Sequence, residues 1–150
     1  IIFFGNGGSA AECQHMAAEY VATLNSNNKR RSLPAIALST DTSFLTAWTN
    51  DFSVDDIFSR QLTSLGNQGD ILFAYSTSGS SKNIITAIKT AKEMGLYTVA
   101  FVGSGDGQAS KIADIPIIVP STSTPRIQEI HTLIGHCICA EVESKLGIAN

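Results

Sequence analysis

Five short apolar runs punctuate the chain, at 1–4, 35–38, 71–75, 98–102 and 115–119. Each is continuous rather than alternating, the pattern of strands covered on both faces, and together they predict a parallel sheet. The stretches between them are long enough for helices, at about 9–24, 54–65, 81–94, 108–113 and 126–146. Strand and helix in alternation predict the α/β class, a doubly wound three-layer α/β/α sandwich on a mainly parallel five-stranded sheet.

After each run the chain turns small and polar: GNGGS, STDTS, STSGSS, GSGDG and PSTST. Ligands of open parallel sheets bind beyond the carboxyl ends of the strands, so these five segments are expected to line one rim rich in hydroxyls and backbone N–H groups. No repeat or linker interrupts the pattern, and its 150 residues suit a single domain. The chain opens directly on IIFF, which reads as a piece of something longer.

Charge narrows the partners. Ten Lys and Arg stand against thirteen Asp and Glu, and the one basic cluster is Lys29-Arg30-Arg31, so no nucleic-acid partner is expected. No apolar run reaches membrane-spanning length, and no membrane partner is expected. Cys13, Cys137 and Cys139 lack the spacing of a zinc ribbon or redox motif and read as reduced core thiols of a cytoplasmic protein.

Gly5-Asn6-Gly7-Gly8-Ser9-Ala10 satisfies the loose dinucleotide pattern between a strand and a helix. That site also needs an acid after the second strand to hold the ribose. Residue 25 is Asn and the nearest post-strand acid is Asp41, so no nucleotide cofactor is expected. The stretch Ser76-Thr77-Ser78-Gly79-Ser80-Ser81 places five hydroxyls around a glycine at a helix start. One serine there is a cap, whereas five suit a phosphate monoester. His15 and Glu19 share a helical face, fitting either a surface pair or a divalent-metal site. The last helix carries an apolar stripe from Ile127 to Val142, with Gln128, His131 and His136 inserted in it. Histidines in such a stripe are ordinarily hydrogen-bonded core residues.

Taken in order, GNGGSAA…QH.AAE, LPAIALSTDTS.LTA..ND, IFSRQ…GDIL…STSGSS.N and PSTSTPRIQEIH.LIGH resemble the bacterial phosphoheptose isomerases, members of the sugar-isomerase (SIS) domain family. The resemblance runs over nearly the whole chain. It implies a single SIS domain over 1–150, without the helical segment that precedes it in the family. It also implies interconversion of sedoheptulose 7-phosphate and D-glycero-D-manno-heptose 7-phosphate through an enediol, in heptose supply for lipopolysaccharide or another glycoconjugate. By resemblance Ser9, Ser76, Thr77, Ser78 and Ser81 hold the phosphate, and Asn6 and Asp51 help place the polyol. His15, Glu19, Gln128 and His136 fall on zinc-binding and catalytic positions, with Glu19 and His136 as the acid–base pair and Gln128 also touching substrate. The family is homotetrameric, with active sites near subunit interfaces.

Two features depart from that pattern. Where the family has a substrate-gripping arginine four residues after the catalytic Glu, this chain has Thr23, and the stretch to LPAIAL is about two residues longer. The expectation is that Arg30 or Arg31 folds back to replace it, or that substrate preference differs. Gln128 and His136 are also eight residues apart, about 12 Å along a continuous helix. For both to reach one ion, the first turn must distort or side chains must converge from different subunits. The competing reading is a non-catalytic sugar-phosphate-binding regulator of the same fold, such as the relative that associates with the replication initiator. The resemblance implies that such a relative lacks the Glu and His that this chain has.

Overall fold

The structure is a computed structural model and describes residues 1–27, 30–105 and 107–145. The five expected strands form, as β1 (Ile2–Gly5), β2 (Ile36–Ala37), β3 (Ile71–Ser76), β4 (Tyr97–Val102) and β5 (Ile115–Ile118). All pair in parallel, in the order β2-β1-β3-β4-β5. Alternate side chains go to opposite faces, as a pleated strand requires. Ile2, Phe4, Leu72, Ala74, Ala100 and Val102 pack on one side. Phe3, Phe73, Tyr75, Val99 and Phe101 pack on the other.

The helices are α1 (Gly8–Val21), α2 (Thr42–Asp51), α3 (Ile57–Leu65), α4 (Lys82–Glu93), α5 (Gln108–Ile112) and α6 (Thr124–Lys145), with a 3-10 turn at Val54–Asp56 before α3. Residues of α3, α4 and α5 share the first core, and residues of α1 and α6 share the second. The result is the doubly wound sandwich that the pattern predicts.

Three details differ from the sequence reading. Helix α2 was not expected, and it buries no residue fully: Leu45 and Trp48 lean on the first core partly buried, and the aromatics stack as Phe44–Trp48 and Trp48–Phe52. The run at 115–119 is not covered on both faces, because β5 is an edge strand with Ile115 and Ile118 more than half exposed. Cys13 and Cys139 are buried core thiols, but Cys137 is exposed on α6.

Candidate active site

Strand order creates the site. The chain winds outward from β1 to β2 on one side and through β3, β4 and β5 on the other, so the ends of β1 and β3 flank the switch point where such sheets bind ligands. The glycine loop follows β1 and the serine loop follows β3, and with the start of α6 they enclose a cavity of about 270 Å³. Asn6, Ser9, Ser76, Thr77, Ser78, Ser81 and Gln128 all line it, joined by Gly7, Gly8, Tyr75 and Thr124.

Two helices begin at this cavity without a side-chain cap. Gly7 precedes α1 and Ser81 precedes α4, and neither side chain bonds the helix start. By contrast α2, outside the cavity, is capped by Asp41 accepting from Phe44 N–H. Ile84 N–H of α4 bonds the Asn83 side chain and Ser9 N–H of α1 bonds Asn6 O, but the N–H groups before them and the positive dipole ends are left to a ligand, and an anion satisfies both. Gly7 has φ 56°, a region open to glycine, which turns the loop into α1. Ser76 Oγ accepts from Gly79 N–H and Ser78 Oγ accepts from Ser80 N–H, leaving the hydroxyl protons free to donate outward.

Asn6 is held from the side. Its amide exchanges two 3.0 Å hydrogen bonds with Asn83 of α4, and Asn83 Oδ1 also accepts from Ile84 N–H. The pair ties the glycine loop to the serine loop. Asp51 lies apart at the end of α2, exposed and accepting from Asn50, and is not among the residues lining the cavity.

Beyond the cavity α1 and α6 run against each other and form a polar seam. At one end the Gln128 amide lies against Gly8, where a Cβ would come within 2.5 Å of Nε2. In the middle Thr132 Oγ1 donates to Glu12 Oε2, while Glu12 Oε1 is buried with no hydrogen-bond partner. Next, His15 Nε2 and His136 Nε2 meet at 2.7 Å, and His15 Nδ1 lies 3.7 Å from the half-buried Glu19 carboxylate. At that distance one imidazole N–H donates to the lone pair of the other ring. Among the described residues His15, Glu19 and His136 offer three ligand atoms within 4.8 Å of one another, a donor set suited to a divalent transition metal. Helix α6 is continuous from Thr124 to Lys145, and Gln128 lines the cavity at the strand ends and also a second cavity that His15 shares.

His131 differs from its neighbours. It is 1% exposed, edge-on to Tyr75 and Phe101, with Nε2 at 3.3 Å from Val102 O. Burial pulls its pKa below the ordinary histidine value, so it serves as a neutral core residue beneath the cavity.

Arg30 does fold back, but not into the cavity. Its side chain is fully buried beside Glu143 of α6, while Thr23 Oγ1 donates to Asn25 O and reaches Glu143 Oε1 at 3.4 Å. The substrate-gripping arginine therefore has no replacement from Arg30. The sequence reading also passed over Glu12, Asn83 and Thr132. Glu12 was recoverable, since it sits three residues before His15 on the same helical face. Thr132 was not, because its partner is 120 residues away.

The SIS domain family model matches residues 1–103. Phosphoheptose isomerases from Sulfurimonas denitrificans and Paramagnetospirillum magneticum are 54% and 53% identical, over 97% and 96% of this chain and 73% and 74% of their own. The chain belongs to the phosphoheptose isomerase family of SIS domain proteins. A solved phosphoheptose isomerase from Neisseria gonorrhoeae superposes with a TM-score of 0.87 at 42% identity, covering 95% of this chain and 76% of that one. Within this family fold, the site just described occupies the sheet's switch point. No helix among the described residues is long and apolar enough to cross a membrane.

Proposed function

We infer that the chain is an aldose–ketose isomerase that interconverts sedoheptulose 7-phosphate and D-glycero-D-manno-heptose 7-phosphate. The observation that carries this reading is the meeting of His15, Glu19 and His136 on a seam that starts at a hydroxyl-lined cavity between two helix starts. Its support from relatives is the high identity to phosphoheptose isomerases over most of the chain.

In this reading the phosphate sits among Ser9, Ser76, Thr77, Ser78 and Ser81 at the uncapped starts of α1 and α4, and its binding energy holds the sugar's reactive end along the seam. Glu19 takes the proton from one carbon and returns it to the neighbour. His136 moves protons between the two oxygens, so the carbonyl migrates through an enediol. Asn6 and Gln128 border the path of the polyol, and Asp51 reaches it only if the end of α2 closes over the cavity. His15, Glu19 and His136 would hold a zinc ion, and Gln128, whose amide lies against Gly8 at the other end of the seam, would join them only by swinging along it. When bound, such an ion polarises the carbonyl and stabilises negative charge on its oxygen.

We further read the protein as a cytoplasmic homotetramer that supplies heptose to a bacterial glycoconjugate such as lipopolysaccharide. The support for assembly is the apolar surface left on α1 and α6: Val21 is 46% exposed and Leu133 57%, beside a site whose His15 is itself exposed. A second copy would cover both. The regulator reading has less support, since a sensor has no use for a carboxylate–imidazole pair aligned with the sugar.

The deciding experiment is Glu19→Gln, which keeps size and removes the base. With sedoheptulose 7-phosphate, turnover is expected to fall by roughly 10²–10⁴-fold while calorimetry shows the ketose still bound. Near-parental turnover would remove Glu19 from the chemistry.

A further inference from the structure

Arg30 is the most enclosed cation in the described structure, and its bonds converge on the two helices that carry the trio. Its side chain is fully buried, and the Glu143 side chain beside it is 4% exposed. Nε donates to Glu143 Oε1. Nη1 donates to Tyr20 O at 2.9 Å and Arg31 O at 3.1 Å, and Nη2 donates to Glu19 O. Glu143 Oε1 also accepts from Leu24 N–H at 3.2 Å. The guanidinium thus closes the last turn of α1, where carbonyls lack partners and the dipole favours a positive charge.

A buried ion pair is weak evidence for stability, because apolar residues of similar volume stabilise as well or better. What it does provide is direction: a planar fork bonded to four oxygens holds them at set separations. Here one of the oxygens belongs to the backbone of Glu19, and Glu143 lies on α6 seven residues, or about two turns, beyond His136. One side chain therefore ties α1 to α6 just past the point where His15 and His136 approach to 2.7 Å. A catalytic or metal-binding constellation tolerates displacement of only about 0.5 Å.

We propose that Arg30 is a positioning residue, which clamps α1 to α6 through Glu143 and so sets the separation of His15, Glu19 and His136. It acts on the trio alone. The phosphate cavity, at the opposite end of α1, is held by the Asn6–Asn83 pair and does not depend on it. The proposal rests on the isomerase reading for its kinetic consequence, but not for its effect on the trio's geometry.

Two variants of the full chain separate clamp from scaffold. Arg30→Lys keeps the ion pair with Glu143 and gives up the fork on the α1 carbonyls. Arg30→Met with Glu143→Leu removes both charges and so leaves neither buried alone. Three readouts apply: zinc affinity by competition with a chromogenic chelator, the imidazole nitrogen resonances of His15 and His136, and kcat and KM for sedoheptulose 7-phosphate. Both variants are expected to melt within a few degrees of the parent and to bind zinc at least tenfold more weakly. The two imidazole signals should shift, and kcat should fall at least tenfold with KM little changed. Parental zinc affinity and parental imidazole signals in either folded variant would overturn the proposal. If the parent itself fails to turn over the sugar, the isomerase reading falls, while the imidazole signals still decide the clamp.

Discussion

Asn83 makes three bonds with one side chain, two to the Asn6 amide and one to its own helix start. It is 7% exposed, so removing it strands polar groups rather than exposing them to water. Asn83→Ala is expected to lower stability by about 1–3 kcal/mol and to loosen the glycine loop from the serine loop. Affinity for the sugar phosphate should drop more than turnover of the bound sugar, in contrast to Glu19→Gln. Denaturant melts with calorimetry check this, and parental affinity would show that the two loops hold their places unaided. Local sequence reveals a hydroxyl-rich loop at a helix start because each serine acts within a few residues of itself. It does not reveal the Asn6–Asn83 pair, which bridges 77 residues.

At the level of elements, the site is a meeting of helix starts, and two glycines divide its requirements. Gly103 follows β4, and a Cβ there would lie 2.6 Å from the Thr77 backbone carbonyl and 2.5 Å from the Ile127 side chain. Gly8 begins α1, and its Cβ would first meet the flexible end of the Gln128 side chain. Gly103→Ala is thus expected to destabilise by about 1–3 kcal/mol, as overpacking against fixed backbone does. Gly8→Ala should spare the fold and displace Gln128, changing kinetics with sedoheptulose 7-phosphate more than melting temperature. Parallel melts and steady-state kinetics would expose the reverse ranking. The unexpected α2 shows what a pattern of apolar positions misses. Asp41 followed by Phe44 was a readable cap, but only Leu45 and Trp48 lean on the first core, partly buried, too few positions to make a legible apolar stripe.

For the whole molecule, acid stability should fall in two stages. Buried His131 has its pKa lowered from 6.5 by desolvation, so below pH 6.5 the unfolded chain takes a proton that the native state resists. Stability is therefore full above pH 6.5 and declines below it, at up to about 1.4 kcal/mol per pH unit for one proton. Asp114 is lowered from 3.8 to about 2 by hydrogen bonds from Lys92 and Thr98. Its contribution is present above pH 3.8 and is lost as pH falls toward 2; partial exposure keeps it small. Denaturant midpoints across pH should show both stages, and His131→Asn, which retains a donor for Val102 O, should erase only the first. An unchanged first stage in that variant would assign it to another group.

The order of elements was determined by sequence alone, because apolar period and loop chemistry act over a few residues. That the five polar segments share one rim follows too, since parallel strands all end on the same side. Which of those segments become neighbours was decided by strand order, and only packing sets that order. The same holds for the histidines of α6. His131 and His136 are five residues apart, roughly 140° around the helix, so one turns into the core and the other toward His15. Their surroundings in the sequence are equally apolar, and the difference arises because α1 lies along one side of α6. The direction of Arg30 was likewise invisible: nothing within its basic cluster separates a residue that grips substrate from one that enters the α1–α6 seam, and the buried Glu143 carboxylate, 113 residues away, draws it there.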